Sequence, residues 1–107
     1  MKERTLNIGQ QIELLKGTEV PQVDGHPMTI GELITRIVPV ANSGADYMRA
    51  MNLASDIDRA IGANETAFEI SVEDRKLLRR TVIDNNNHVI WGGNWAKWNL
   101  ERVFDEE

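Results

Sequence analysis

Asp24-Gly25-His26-Pro27-Met28-Thr29-Ile30-Gly31-Glu32-Leu33-Ile34-Thr35-Arg36-Ile37-Val38-Pro39 is the stretch whose reading decides the fold. Asp24-Gly25 is a turn signal, because both residue types accept the left-handed backbone that tight hairpin turns need. Thr29 and Glu32 stand at capping-box spacing: the threonine oxygen can accept from the N–H of Glu32, and the glutamate can reach back. From there the apolar positions take helical spacing, with Ile30, Leu33, Ile34, Ile37 and Val38 on one face. Glu32 and Arg36 sit in the favourable i,i+4 order, and Pro39 stops the helix.

Working outward, Val20-Pro21-Gln22-Val23 reads as extended, since Pro21 cannot occupy a helix interior and restricts the residue before it. Ile12-Glu13-Leu14-Leu15 is either a strand or the end of a short helix from Ile8, and Gly17 interrupts both. This predicts a small β-hairpin or extended arm over 12–28. On the other side, Asn42-Ser43-Gly44-Ala45-Asp46 opens a second helix, with Ser43 and Asp46 at capping-box spacing and aspartate in place of the usual glutamate or glutamine. Tyr47, Met48, Met51, Ala54, Ile57 and Ile61 carry it on, and Gly62 suits the position just past its end. Phe68-Glu69-Ile70 reads as a short extended link. Ser71-Val72-Glu73-Asp74 starts a third helix running to Asp84, with Leu77, Leu78, Thr81 and Val82 inward. Asn85-Asn86-Asn87 reads as a loop. The segment from His88 to Phe104 is helical at least from Asn94, with Gly92-Gly93 weakening its first turn. Asp105-Glu106-Glu107 reads as an exposed tail.

The expected architecture is one α+β domain over 1–107, mainly α: three to four packed helices with a short N-terminal β-hairpin or extended arm. The expected core contains Ile30, Leu33, Ile34, Ile37, Met48, Met51, Ile57, Ile61, Leu78, Val82 and part of a tryptophan stripe. A chain of 107 residues can bury a real core without staples. It contains no cysteine, which removes disulfides and thiolate metal sites and fits a reducing cytoplasm. The formal charge of −5 argues against a bulk electrostatic grip on nucleic acid, while leaving room for a local basic patch. Met1-Lys2-Glu3-Arg4-Thr5 starts polar and no long apolar run follows. Neither a secretion signal nor a membrane span is therefore expected, and the expected location is the cytoplasm.

Two constellations stand out. Trp91, Trp95 and Trp98 are spaced i, i+4, i+7, one helical stripe holding three of the chain's six aromatic residues. The stripe can be an anchor surface for a partner, since tryptophan is enriched at binding hot spots. It can also be a stacking platform for a base, or an apolar face packed on the other helices. A stripe packed on a second copy of the chain lies between these. Arg75, Lys76, Arg79 and Arg80 form the other constellation, opposite Leu77, Leu78, Thr81 and Val82. This is either a solvated face or a site for an anion or acidic partner. The like-charge pairs Arg75–Arg79 and Lys76–Arg80 call for relief by something anionic, a partner or a neighbouring Asp or Glu.

Nothing catalytic emerges. There is no cysteine nucleophile and no Gly-x-Ser-x-Gly elbow, and Ser43 and Ser71 already serve as caps. His26 and His88 have no metal-ligand spacing. Gly92-Gly93-Asn94 at a helix start is a weak anion signal. No catalytic residue, metal or cofactor is expected.

The order of features resembles small accessory proteins encoded by tailed bacteriophages and prophages. The resemblance rests on Asp24-Gly25-His26-Pro27-Met28-Thr29-Ile30-Gly31-Glu32, which fits that group's pattern of Asp-Gly-x-Pro, Leu or Met, Thr, Leu or Ile, x, Asp or Glu. It continues in the helix from Tyr47 to Ile61, in Glu69-Ile70-Ser71-Val72-Glu73-Asp74 with Leu77-Leu78, and in an aromatic-rich C-terminal helix. The chain departs from the group in its longer N-terminal segment and its tryptophan stripe. The shared motif is a turn, a cap and a helix, so the resemblance implies context rather than chemistry. That context is accessory proteins that bind host or virion components. The missing catalytic constellation, the acidic balance and the tryptophan-rich terminal helix favour a non-enzymatic protein that acts by binding a host protein, with a homo-oligomer as one form. A nucleotide- or small-anion-sequestering protein and a virion assembly chaperone stay open beside it.

Overall fold

Thr29 caps the first helix as its sequence dictates. In the computed structural model, which describes residues 3–13, 20–40, 46–84 and 94–104, its hydroxyl accepts from Glu32 N at 3.3 Å, and Glu32 Oε1 accepts from Thr29 N at 2.9 Å. Helix α1 then runs over Ile30–Ile37 and passes into a 3-10 turn, Val38–Val40. The other two N–H groups at its start are taken by the N-terminal segment: Ile30 N donates to Gln10 O at 2.8 Å and Gly31 N to Ile8 O at 2.9 Å. That segment can come so close only because residue 31 has no side chain; a Cβ there would lie 2.9 Å from Ile8 Cβ. Helix-start donors are thus satisfied by backbone rather than water.

Asp24 and Gly25 adopt φ of 50° and 85°, the two left-handed residues of a tight hairpin turn. They join β1's successors in the chain: taking Glu3–Leu6 as β1, Gln22–Val23 is β2 and His26–Pro27 is β3. Gln22 lies opposite Pro27, and Val23 opposite His26. The arm extends the hairpin on its far side, where Ile12 N donates to Met28 O at 3.0 Å and Gln11 bridges Thr29. Leu14, Leu15 and Gly17 lie outside the described residues.

Helix α2 spans Tyr47–Gly62, strand β4 Phe68–Ser71, helix α3 Val72–Arg79 and helix α4 Asn94–Phe104. The molecule is α+β and mainly α, with four α-helices and a small hairpin in the N-terminal region among the described residues. One sheet was not foreseen: β1 pairs antiparallel with β4, Leu6 opposite Phe68 and Arg4 opposite Ile70. Leu6 and Ile70 face the core from it.

The core is built around α1, whose Ile30, Leu33, Ile34 and Ile37 are fully buried. Ile57, Leu78 and Val82 join them as expected, with Met51 and Ile61 half-buried against the edge. Met48 does not join; it is 68% exposed. The reason is the choice of face. The inward stripe of α2 is Ala50, Leu53, Ala54, Ile57 and Ala60, and at about 100° per residue Met48 falls on the opposite side. Its small alanines bring α2 close to its neighbours, and the larger methionine is left in water.

The second helix starts at Tyr47, and Asp46 makes no side-chain cap; Asn42 to Ala45 lie outside the described residues. The third helical run reaches Asp84 as its apolar spacing predicts, with α winding over Val72–Arg79 and wider π winding over Arg80–Asp84. Buried Thr81 donates its hydroxyl to Leu77 O at 2.8 Å, where the backbone ladder needs that carbonyl. Ser71 caps α3 by accepting from Asp74 N at 3.2 Å. Asp74 in turn holds Arg49 of α2 through two hydrogen bonds. That hydrogen bond and the carboxylate charge raise the pKa of the exposed Arg49 guanidinium above its ordinary value. Among the described residues, no helix is long and apolar enough to cross a membrane.

Candidate functional site

Helix α4 turns Ala96, Asn99, Leu100, Val103 and Phe104 inward. Asn99 is the polar exception and is fully buried. Its Oδ1 accepts from Glu13 N at 2.8 Å, and its Nδ2 donates to Glu13 O at 2.9 Å and to Trp95 O at 2.8 Å. The side-chain amide acts as a neighbouring strand would, pairing both backbone groups of one residue. This pins the extended segment at Ile12-Glu13 along α4.

The consequence appears one turn further out. Glu13 Oε2 lies 3.1 Å from Arg102 NH1, which also reaches Asn99 Oδ1 at 3.4 Å. So held, the Arg102 guanidinium sits 4.8 Å from the centre of the Trp98 ring, a cation–π arrangement at i,i+4. Trp98 is 51% exposed. The face therefore presents a large flat aromatic ring with a charged group stacked on it, that group held by the exposed Glu13 carboxylate and the buried Asn99 amide.

The structure divides the tryptophan stripe. Trp95 is half-buried against the core, Trp98 points to solvent, and Trp91 lies outside the described residues. The basic cluster is also divided. Arg75 is half-buried beneath the end of α4, where it donates to Phe104 O and, at 3.5 Å, to Val103 O, with its guanidinium 5.9 Å from the Phe104 ring. A cation at these last carbonyls is favoured by the helix dipole. Arg79 pairs with Asp84 at 2.5 Å and Arg80 with Asp46 at 2.8 Å, while Lys76 is exposed. Carboxylates of the chain itself thus meet the two outer arginines.

His26 has a partner that sequence reading missed. Its Nε2 lies 2.9 Å from Glu32 Oε2. Glu32 is buried, and its other oxygen is taken by Thr29. A pocket of about 300 Å³ opens beside the pair, with Glu65 and Thr66 also in its lining. Both carboxylate oxygens of Glu32 are engaged, one by the cap and one by His26, so the pair ties the hairpin to α1. His88 lies outside the described residues, as do Asn85 to Asn87 and Gly92-Gly93. Among the described residues, no group of three or more His, Asp or Glu is placed to hold a metal ion.

Glu13, Asn99 and Arg102 were not singled out from sequence. One signal for them was available: Asn99 shares the helical face of Ala96, Leu100 and Val103, and a polar side chain on an inward face needs partners. No protein-family model matches the chain, and neither a curated protein nor a solved structure matches it.

Proposed function

We propose that the chain is a binding protein rather than an enzyme, and that it engages another protein through the Trp98–Arg102 face of α4. The observation that carries this is the half-exposed Trp98 held under Arg102. An indole left in water forgoes roughly 25 cal/mol for each Å² of apolar surface it could bury. Tryptophan and arginine are the residues most enriched at hot spots. Ordering both before a partner arrives lowers the entropy lost on binding. The resemblance of the Asp24–Glu32 stretch to phage accessory proteins points to a host or virion protein as the partner, in a cytoplasmic setting. A second copy of the chain would use the same face. A nucleotide-sequestering reading has less to draw on, because Arg75, Arg79 and Arg80 are engaged by Phe104 O, Asp84 and Asp46.

The test compares wild type with Trp98→Ala in affinity capture from bacterial lysate and in sedimentation. A protein held by wild type should be lost from the variant, with a drop in affinity of about 2 kcal/mol or more, as at other hot spots. A homo-oligomer built on this face should dissociate instead. Equal capture and equal sedimentation by the two proteins would reject the proposal.

A further inference from the structure

A second groove lies away from α4, between the C-terminal end of α2 and strand β4, with a volume of about 830 Å³. Ala60, Ala63 and Phe68 give it small and apolar lining, and Glu65 and Glu69 stand at its margin. Both glutamates are exposed, and neither has an ion-pair partner among the described residues. The one cation of the lining, Arg59, is held by Asp56 at 3.1 Å. Among the described residues the groove therefore carries a net acid field, three carboxylates against Arg59 alone. Strand β4 supplies Phe68 and Glu69 to it, and among the described residues β4 pairs with β1 alone. Among the described residues no strand pairs with its other edge.

We propose that this groove takes an extended basic segment of another protein, laid along β4 as an added strand. Backbone pairing would come from the open edge. In an extended segment alternate side chains point to opposite sides. A small apolar residue would meet Ala60 and Phe68, and the lysines or arginines flanking it would meet Glu65 and Glu69. This is strand addition with pocket specificity. It is independent of the Trp98 face and stands or falls separately.

The probe is a blocked, fluorescently labelled peptide alternating lysine and valine, titrated with the full chain and read by anisotropy. Wild type should bind it in a salt-dependent way, and the matching glutamate–valine peptide should not bind. The double variant E65Q/E69Q should weaken binding about tenfold, the loss of two exposed charge pairs. The control D58N/E73Q removes the same charge from exposed positions outside the groove and should leave affinity unchanged. Methylating alternate backbone nitrogens of the peptide should abolish binding in one register and spare it in the other. Failure of the peptide to bind, equal loss in the control variant, or indifference to methylation in both registers would overturn the proposal.

Discussion

The side-chain amide of Asn99 and the backbone of Glu13, 86 positions apart, hydrogen-bond in both directions. This pairing joins the first segment of the chain to its last helix and sets the height at which Glu13 meets Arg102. Replacing Asn99 with alanine leaves the N–H and C=O of Glu13 without these partners. An unsatisfied buried group costs about 1–3 kcal/mol, so Asn99→Ala should lower unfolding free energy by about that amount or more in urea titration. Asn99→Asp sets a buried carboxylate oxygen against the carbonyls of Glu13 and Trp95, and should destabilise at neutral pH at least as much as alanine.

Gly31 and Gly62 predict opposite signs for one substitution. Alanine is ordinarily better than glycine in a helix by about 1 kcal/mol. At Gly31 a Cβ would lie 2.9 Å from Ile8 Cβ and 3.0 Å from Ile8 O, so Gly31→Ala should destabilise, by about 1–3 kcal/mol as overpacking does. At Gly62 a Cβ meets nothing within 4 Å. Gly62→Ala should stabilise by about 0.4–1 kcal/mol. Thermal melts of the two variants beside wild type check both signs.

Arg75 and Lys76 are sequence neighbours with different work. Arg75 donates to the last carbonyls of α4 and lies over the Phe104 ring, whereas Lys76 is exposed. Arg75→Ala should cost about 1.5–3 kcal/mol, as for hydrogen bonds to a charged group. Lys76→Ala should stay within about 0.5 kcal/mol of wild type. Hydrogen exchange of α4 amides should rise in the first variant only.

The capping box predicts a modest, local effect. Thr29→Ala removes the acceptor for Glu32 N and should cost about 1 kcal/mol. His26→Ala should cost less, because His26 is exposed and Glu32 keeps its bonds from Thr29. Denaturant midpoints of the two variants order these effects.

What could be read from sequence was local. The turn at Asp24-Gly25, the cap at Thr29 and the helix to Ile37 each rest on residues within one turn of one another, and all three are in the structure. The helix over Asn94–Phe104 was likewise legible. The misses have distant causes. Strand β1 has no marked alternation of its own and becomes a strand because Phe68–Ser71 pairs with it. Met48 was assigned inward because large apolar residues outweighed the alanines that carry the close face of α2. The change to π winding after Arg79 is not marked by the apolar spacing, which runs through it unbroken. The exposed face of α4 was half legible: the tryptophans marked the helix, but which ring faces water depends on Asn99 taking the inward position.

The central claim is that Trp98 is held for a partner and not for the fold. Its most direct test is the unfolding free energy of Trp98→Ala, measured by urea titration with the isolated chain. The account predicts a loss of no more than about 1 kcal/mol, the value of an exposed cation–π contact with Arg102. A loss of about 3–5 kcal/mol, the range for truncating a buried tryptophan, would place Trp98 in the core and contradict the claim.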